Sequence, residues 1–255
     1  MDQKIMEWQE KGKIVPTRDL IKTHEQIEGI RQAGVLNTAV LDLVAEKIHE
    51  GMSTLEIDQL VYDFTTKHGG VPAPLHYEGF PNRCCTSIND VVCHGIPSAD
   101  DILIEGDIIN VDCTTILNGY YADASRMFVI GKTTPERQRL VDVAWDCLKA
   151  GEKVCQQPYV FVGDIGNAVA KLAHANGYTV VRDLCGHGVG VEFHEEPDVV
   201  HYGRKGTGML LVPGMTFTIE PMINEGDWEV CGDAEDPTEW IVLTEDGTDS
   251  AQWEH

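Results

Sequence analysis

The sequence predicts an α+β fold in which two related halves contribute strands to one shared antiparallel sheet. Three observations predict it. The coarse order of elements is helix, helix, strands, and then helix, helix, strands again. Four residue pairs, Ile57 and Ile165, Gly69 and Gly177, Gly106 and Gly214, and Asp112 and Glu220, stand at one offset of 108 positions, the signature of an internal duplication. Between two strand-like runs, Asn118-Gly119 is the strongest short hairpin signal, so its flanking strands run antiparallel.

The elements follow in order. Residues 1–20 are polar and mixed in charge with no sustained period, and they read as an arm. Thr23-His24-Glu25-Gln26 is a capping box, and behind it Ile30, Ala33, Leu36, Val40, Leu43 and Val44 recur at helical spacing. Ser53-Thr54-Leu55-Glu56 is a second capping box, opening a helix through Ile57, Leu60, Val61 and Phe64 that stops at Gly69-Gly70. Strand-like segments lie at 84–94 and 107–116, the latter pairing with 121–130 across the Asn118-Gly119 turn. Thr134-Pro135-Glu136 reads as N-cap, first-turn proline and first-turn acid of a third helix. A fourth helix spans about 164–175 and ends at Asn176-Gly177. Strands and loops complete the chain.

Charge and cysteine content narrow the function classes. Forty-two acidic residues against nineteen basic leave a net charge of −23. That is the wrong sign for direct nucleic-acid recognition, which needs a basic face to displace phosphate counterions. No run approaches eighteen apolar residues, so no membrane helix is expected. The opening Met1–Glu7 lacks the apolar centre of a signal peptide. The eight cysteines are irregularly spaced without a C-x-x-C pair, which reads as reduced thiols in a cytoplasmic protein.

Four places carry chemistry. With Asn118-Gly119 as the loop, Asp112 faces Ser125 and Asp123 faces Thr114, so Asp112 and Asp123 are diagonal neighbours on one face. Either a cation sits between them or that face is solvated. His187 lies in Gly186-His187-Gly188-Val189-Gly190, where glycine permits close backbone approach; a satisfied core histidine is the bland alternative. Asp198 stands where an H-E-x-x-H zinc motif would need a second histidine, so that site is excluded. Glu220 ends the apolar run Phe217-Thr218-Ile219, and Glu254 lies in the terminal Ser250–His255. Buried carboxylates are rare unless paired or metal-bound. Four carboxylates with one imidazole suit divalent cations, not a soft thiolate site.

Taken in order, these segments resemble the type I methionine aminopeptidases, over residues 21–255. The matching stretches are Cys93-His94-Gly95-Ile96-Pro97, Gly106–Asp112, Asp123–Phe128, Gly186–Gly190, Phe193-His194-Glu195-Glu196-Pro197, Phe217–Pro221 and Ser250–His255. The resemblance implies a pita-bread fold, a curved antiparallel sheet from two pseudo-symmetric halves backed by helices. It implies two divalent metal ions, Co, Mn, Fe or Zn. Asp112 would chelate one and His187 with Glu220 the other, while Asp123 and Glu254 bridge both. A water made acidic by the metals would attack the carbonyl after an N-terminal methionine. Glu220 would shuttle the proton, His194 would stabilise the oxyanion and His94 would contact the scissile amide. Tyr77, Phe80, Cys85, Phe193 and Trp240 match the family's methionine pocket. A monovalent cation, Na or K, near Asn89, Val91 and Ser250 is implied as well.

The implied activity is removal of initiator methionine from nascent chains when the second residue is small, by a monomeric enzyme with the ribosome as a candidate partner. The alternatives are an Xaa-Pro peptidase of the same fold and a non-catalytic binding module. Three features depart from the pattern. The acidic connection Asp227–Glu239 is long, residues 1–20 precede the usual start, and the chain stops at His255 where relatives continue for a further short strand. A frayed end is therefore expected, with the metal held by Asp112 and the two bridging carboxylates bound more weakly than its partner.

Overall fold

Each capping signal opens a helix in the computed structural model, which describes residues 3–255. Thr23 Oγ1 accepts the Gln26 amide at 3.2 Å, and Gln26 Oε1 accepts the Thr23 amide at 2.8 Å. Ser53 and Glu56 form the same reciprocal pair. Thr134 Oγ1 accepts the Arg137 amide with Pro135 as the first helical residue. The helices are α1 (Gln3–Glu10), α2 (His24–Lys47), α3 (Thr54–Lys67), α4 (Pro135–Cys155) and α5 (Val162–Ala175). In chain order the strands are β1 (Val71–Pro72), β2 (Cys85–Ile88), β3 (Val91–Cys93), β4 (Ile108–Leu117), β5 (Tyr120–Val129), β6 (Val160–Phe161) and β7 (Thr179–Val180). They continue with β8 (Gly186–Gly188), β9 (Glu195–Val199), β10 (Leu210–Leu211), β11 (Met222–Asn224), β12 (Val230–Gly232), β13 (Val242–Thr244) and β14 (Ser250–Gln252).

The duplication extends to backbone pairing. α3 and α5 begin at 54 and 162 and end at 67 and 175, again 108 apart. Val71 pairs with Ile116 and Pro72 with Thr115; at the same offset, Thr179 pairs with Asn224 and Val180 with Ile223. Gly106 and Gly214 both take φ +101°, a conformation that favours glycine, six residues before Asp112 and Glu220. Each half packs its own core. Val40, Leu41, Ile57 and Val61 meet Ile109, Val111 and Cys113 in the first half. Leu140, Ala144, Leu148, Ile165 and Val169 meet Ile223 and Ala251 in the second. A fully buried aliphatic side chain of this kind contributes roughly 1.5–3 kcal/mol. Because Ile109, Val111 and Cys113 of β4 point to the helices, strand alternation turns Asn110, Asp112 and Thr114 to the opposite face.

The halves meet at β5 and β14. Ser125 N–H donates to the Glu254 carbonyl at 3.2 Å, and Glu254 N–H returns to the Ser125 carbonyl at 3.3 Å. Asn110 Nδ2 donates across the seam to Gln252 O at 2.6 Å and to Ser125 Oγ at 2.9 Å.

Two expectations are corrected. Within the stretch expected as a polar arm, α1 docks on the second half: Ile5 is buried with Phe161, Leu210 and Val212, and Trp8 meets the Phe161 ring edge-on at 5.3 Å. An eight-residue helix that buries one side chain leaves no readable period in sequence. Residues 1 and 2 of that arm lie outside the described residues. Nor is the chain end frayed. Ile219 and His255 exchange backbone hydrogen bonds at 2.9 and 3.2 Å, Trp253 Nε1 donates to Val141 O at 3.1 Å, and His255 Nδ1 lies 2.6 Å from Glu152 Oε1. Glu254 is 2% exposed, so the argument for one weaker metal loses its premise.

Candidate metal centre and substrate cavity

The hairpin sets the first two carboxylates. Asp112 pairs with Ser125 and Thr114 with Asp123, the register the two-residue turn predicts. Thr114 Oγ1 donates to Asp123 Oδ1 at 2.7 Å. Glu254 arrives beside Ser125 from the other half. Glu220 is held by Thr218 Oγ1, donating at 2.7 Å, and by Gln252 Nε2 at 3.2 Å.

His187 sits on β8 between glycines that the packing requires: a Cβ on Gly188 would lie 2.2 Å from the Glu196 carbonyl oxygen. The His187 amide donates to Thr218 Oγ1 at 2.9 Å, fixing β8 against the segment that carries Glu220. His187 Nδ1 is 2.9 Å from the Gly188 carbonyl. A carbonyl only accepts, so Nδ1–H is the donor of this bond and Nε2 is the nitrogen presented to the cluster. Nε2 points into the cluster, 3.7 Å from both Asp123 Oδ2 and Glu220 Oε1.

Gathering carboxylates away from water has an electrostatic cost. Burial, then the charges of Asp123 and Glu220, holds the Asp112 carboxyl well above the usual range. Burial and the same neighbours do this to Glu254. Glu220 is pushed up to about 8, chiefly by burial. Asp123 is raised by burial against the opposing pull of His187. Asp112 Oδ1 is buried without a hydrogen-bond partner, which in a native interior calls for a specific explanation. Ligand atoms of Asp123, His187 and Glu254 lie within 4.8 Å of one another. Hard oxygen donors with one free imidazole nitrogen fit divalent cations, and such ions answer both the orphaned oxygen and the mutual repulsion.

A cavity of about 520 Å³ opens over this cluster. All five expected ligands line it, with His94, His194 and the expected pocket residues Tyr77, Phe80, Cys85, Phe193 and Trp240. Trp240 packs edge-on against Phe80 at 5.5 Å and against His94 at 5.4 Å. Burial pushes the Cys85 and Cys93 thiols well above their ordinary range, so they are neutral, weakly polar lining. His94, in the left-handed region at φ +57°, is kept below the ordinary histidine pKa by burial. Partial withdrawal from water, then His187 and His94, lowers His194 to about 4. Its Nδ1 is 2.9 Å from the Tyr77 hydroxyl, whose own pKa burial raises.

Asn89, Val91 and Ser250 lie outside this cavity. Ser250 N–H donates to the Asn89 carbonyl at 2.9 Å, while the Asn89 amide is engaged by Asp107 and by Ile108 N–H.

Sequence reasoning missed three supporting residues. Thr218 was legible, since in the extended run the sequence predicts, two positions before Glu220 means the same face. The Asp236-Pro237-Thr238 turn was legible as a turn, but not as the support of Trp240. His201 left no signal. It is 1% exposed, and its Nε2 accepts the Glu220 amide at 3.0 Å.

Known proteins resemble this chain over most of its length. The model of metallopeptidase family M24 matches residues 28–255. Methionine aminopeptidase A of Synechocystis sp. is 47% identical over 235 residues, covering 91% of this chain and 90% of its own. The crystal structure of methionine aminopeptidase from Rickettsia prowazekii superposes with a TM-score of 0.88 at 43% identity, over 92% of this chain and 93% of that one. A prolidase from Pyrococcus furiosus, at 21% identity and TM-score 0.70, shares the pita-bread fold alone and is longer, with 61% of its chain covered. From its residues, its fold and these relatives, the chain belongs to metallopeptidase family M24, and within it to the type I methionine aminopeptidases.

Proposed function

We propose that the protein hydrolyses the N-terminal methionine from nascent polypeptides whose second residue is small. On this reading two divalent ions, Co, Mn, Fe or Zn, are held by Asp112, Asp123, His187, Glu220 and Glu254. The observation that carries the reading is the sharing of one cavity between the carboxylate–imidazole cluster and the aromatic, sulfur-bearing wall of Phe80, Cys85, Cys93, Met222 and Trp240. Aromatic edges and polarisable sulfur suit a thioether side chain. When bound, the ions supply Lewis-acid charge that polarises the scissile carbonyl and acidifies a water.

The chain's own groups do the rest. Glu220 sits in surroundings that favour its protonated form, so it is suited to take a proton and return it to the leaving amine. His194 is neutral at pH 7. With the Tyr77 hydroxyl donating to Nδ1, the Nε2–H is left to donate to the developing oxyanion. His94, also held towards the neutral form, contacts the substrate beside Trp240. A monovalent cation on Asn89, Val91 and Ser250 belongs to the same proposal, as do a cytoplasmic, monomeric enzyme and work at the ribosome. No helix among the described residues is long and apolar enough to cross a membrane.

The deciding assay compares Met-Ala-Ser, Met-Lys-Ser and an Xaa-Pro peptide with added divalent metal. Met-Ala-Ser should be cleaved and the other two should not. Cleavage of the Xaa-Pro peptide alone would overturn the reading in favour of the prolidase-like alternative. For His194→Ala, loss of one oxyanion donor should lower kcat on the order of 10²–10³-fold. Loss of affinity alone would reassign His194 to ground-state binding.

A further inference from the structure

The long acidic connection Asp227–Glu239 contains a buried aspartate, Asp236. Between β12 and β13 the loop is closed at its base by Asp233 N–H donating to the Ile241 carbonyl at 3.1 Å. Inside it the Asp236 carboxylate accepts four hydrogen bonds. Oδ1 takes the Thr238 amide at 2.8 Å and the Thr238 hydroxyl at 2.6 Å. Oδ2 takes the amides of Trp240 at 2.8 Å and Ile241 at 2.9 Å. Asp236 is 8% exposed although the neighbouring Glu235, Pro237 and Thr238 are exposed. These bonds hold its carboxyl below the usual range against the opposing effect of burial.

Two consecutive amides directed at one carboxylate oxygen fix the peptide planes on both sides of the Trp240 Cα. The direction in which the indole leaves the backbone is then set by Asp236 as well as by contact with Phe80 and His94. Glu239, just before it, takes φ +60°, a left-handed conformation uncommon for a glutamate. Charge-assisted bonds to several donors at once are of the kind that keeps such a backbone in place.

We propose that Asp236 is a positioning residue that sets the Trp240 wall of the cavity and so governs affinity and selectivity for the substrate's first side chain, leaving turnover almost untouched. This rests on the methionine reading above. Asp236 touches neither the ligand cluster nor the histidines, and of the residues that donate to it only Trp240 lines the cavity.

The test uses the full metallated chain with Asp236→Ala, Asp236→Asn and the exposed control Glu235→Ala. Loss of hydrogen bonds to a charged acceptor should raise KM for Met-Ala-Ser roughly tenfold in Asp236→Ala, with kcat within about threefold. Discrimination between methionine and leucine at the first position should narrow with it. Asp236→Asn keeps the volume and one acceptor oxygen, and should fall between Asp236→Ala and the parent. Glu235→Ala should change nothing. Against a Trp240→Ala background, which removes the side chain being positioned, the Asp236→Ala effect on KM should disappear. Additive effects, or unchanged KM and selectivity in a folded Asp236 variant, would overturn the proposal. Acrylamide quenching assigned to Trp240 by difference from Trp240→Phe should rise in Asp236→Ala. That measurement needs no substrate. An inactive parent whose Trp240 loosens as expected would refute the methionine reading and leave the positioning intact.

Discussion

Metal-free protein should show no measurable hydrolysis of Met-Ala-Ser, and Co or Mn added back should restore it. No other electrophile lines the cavity among the described residues: beside the ligand His187, His94 and His194 are neutral hydrogen-bonding groups, and the buried thiols of Cys85 and Cys93 are protonated. The same experiment carries a second readout. Glu220 stands at about 8 in the metal-free protein, against an ordinary 4.5. Below pH 8 it therefore holds a proton that a ligand must release. Calorimetric titration at pH 7 in buffers of different ionisation enthalpy should report proton release on metal binding. The sign for stability follows from the same shift. The folded pKa is raised, so this group's contribution is fully present below about pH 4.5 and is lost as pH rises through about 8. Metal-free protein should accordingly become less stable from pH 5 to 8, and metal should remove the trend. Full activity in verified metal-free protein, or no proton release, would count against the cluster as a metal site.

Glu220→Gln should lower kcat on the order of 10²–10⁴-fold, the range that a positioned acid–base group supplies. KM should change little, since both proton transfer and the carboxylate's charge are felt mainly in the transition state. The amide preserves the volume and can keep the bond from Thr218 Oγ1, so the fold around it should hold. Steady-state kinetics with the metal content measured on the same sample decides between outcomes. If kcat survives within a few-fold, Glu220 neither carries the proton nor holds the metal.

Local rules were readable from sequence wherever the physics is local. Capping boxes need a hydroxyl and an amide or acid three residues apart, and Thr23, Ser53 and Thr134 all cap as expected. A two-residue turn leaves one register, and that register alone placed Asp112 and Asp123 on a shared face. The 108-residue offset reached further, because duplicated halves repeat their pairing as well as their residues. What escaped depends on contacts with distant partners. The seat of α1 is Phe161, Leu210 and Val212, all in the other half of the chain, and its own sequence has a single buried side chain to announce it. The order of Glu254 comes from Ser125 and Ile219, which no terminal motif mentions. His201 looks like any loop histidine until the fold closes over it.

The seam between β5 and β14 also bears on how fast the molecule can form and come apart. The bond from Asn110 to Gln252 closes a span of 142 residues, and Asp112, Asp123 and Glu254 come together only once that span is closed. Pairings between positions so far apart in sequence require loop closure before any contact rewards it, which slows folding. The divalent site should on this ground be among the last features to be completed, after the folding transition state. An ion that binds only the finished site should leave the refolding rate in denaturant unchanged and retard unfolding by nearly its whole stabilising effect. Stopped-flow refolding and unfolding with and without Mn would register this as a shift of the unfolding limb alone. Equal displacement of both limbs would mean that the halves dock before their helices finish packing.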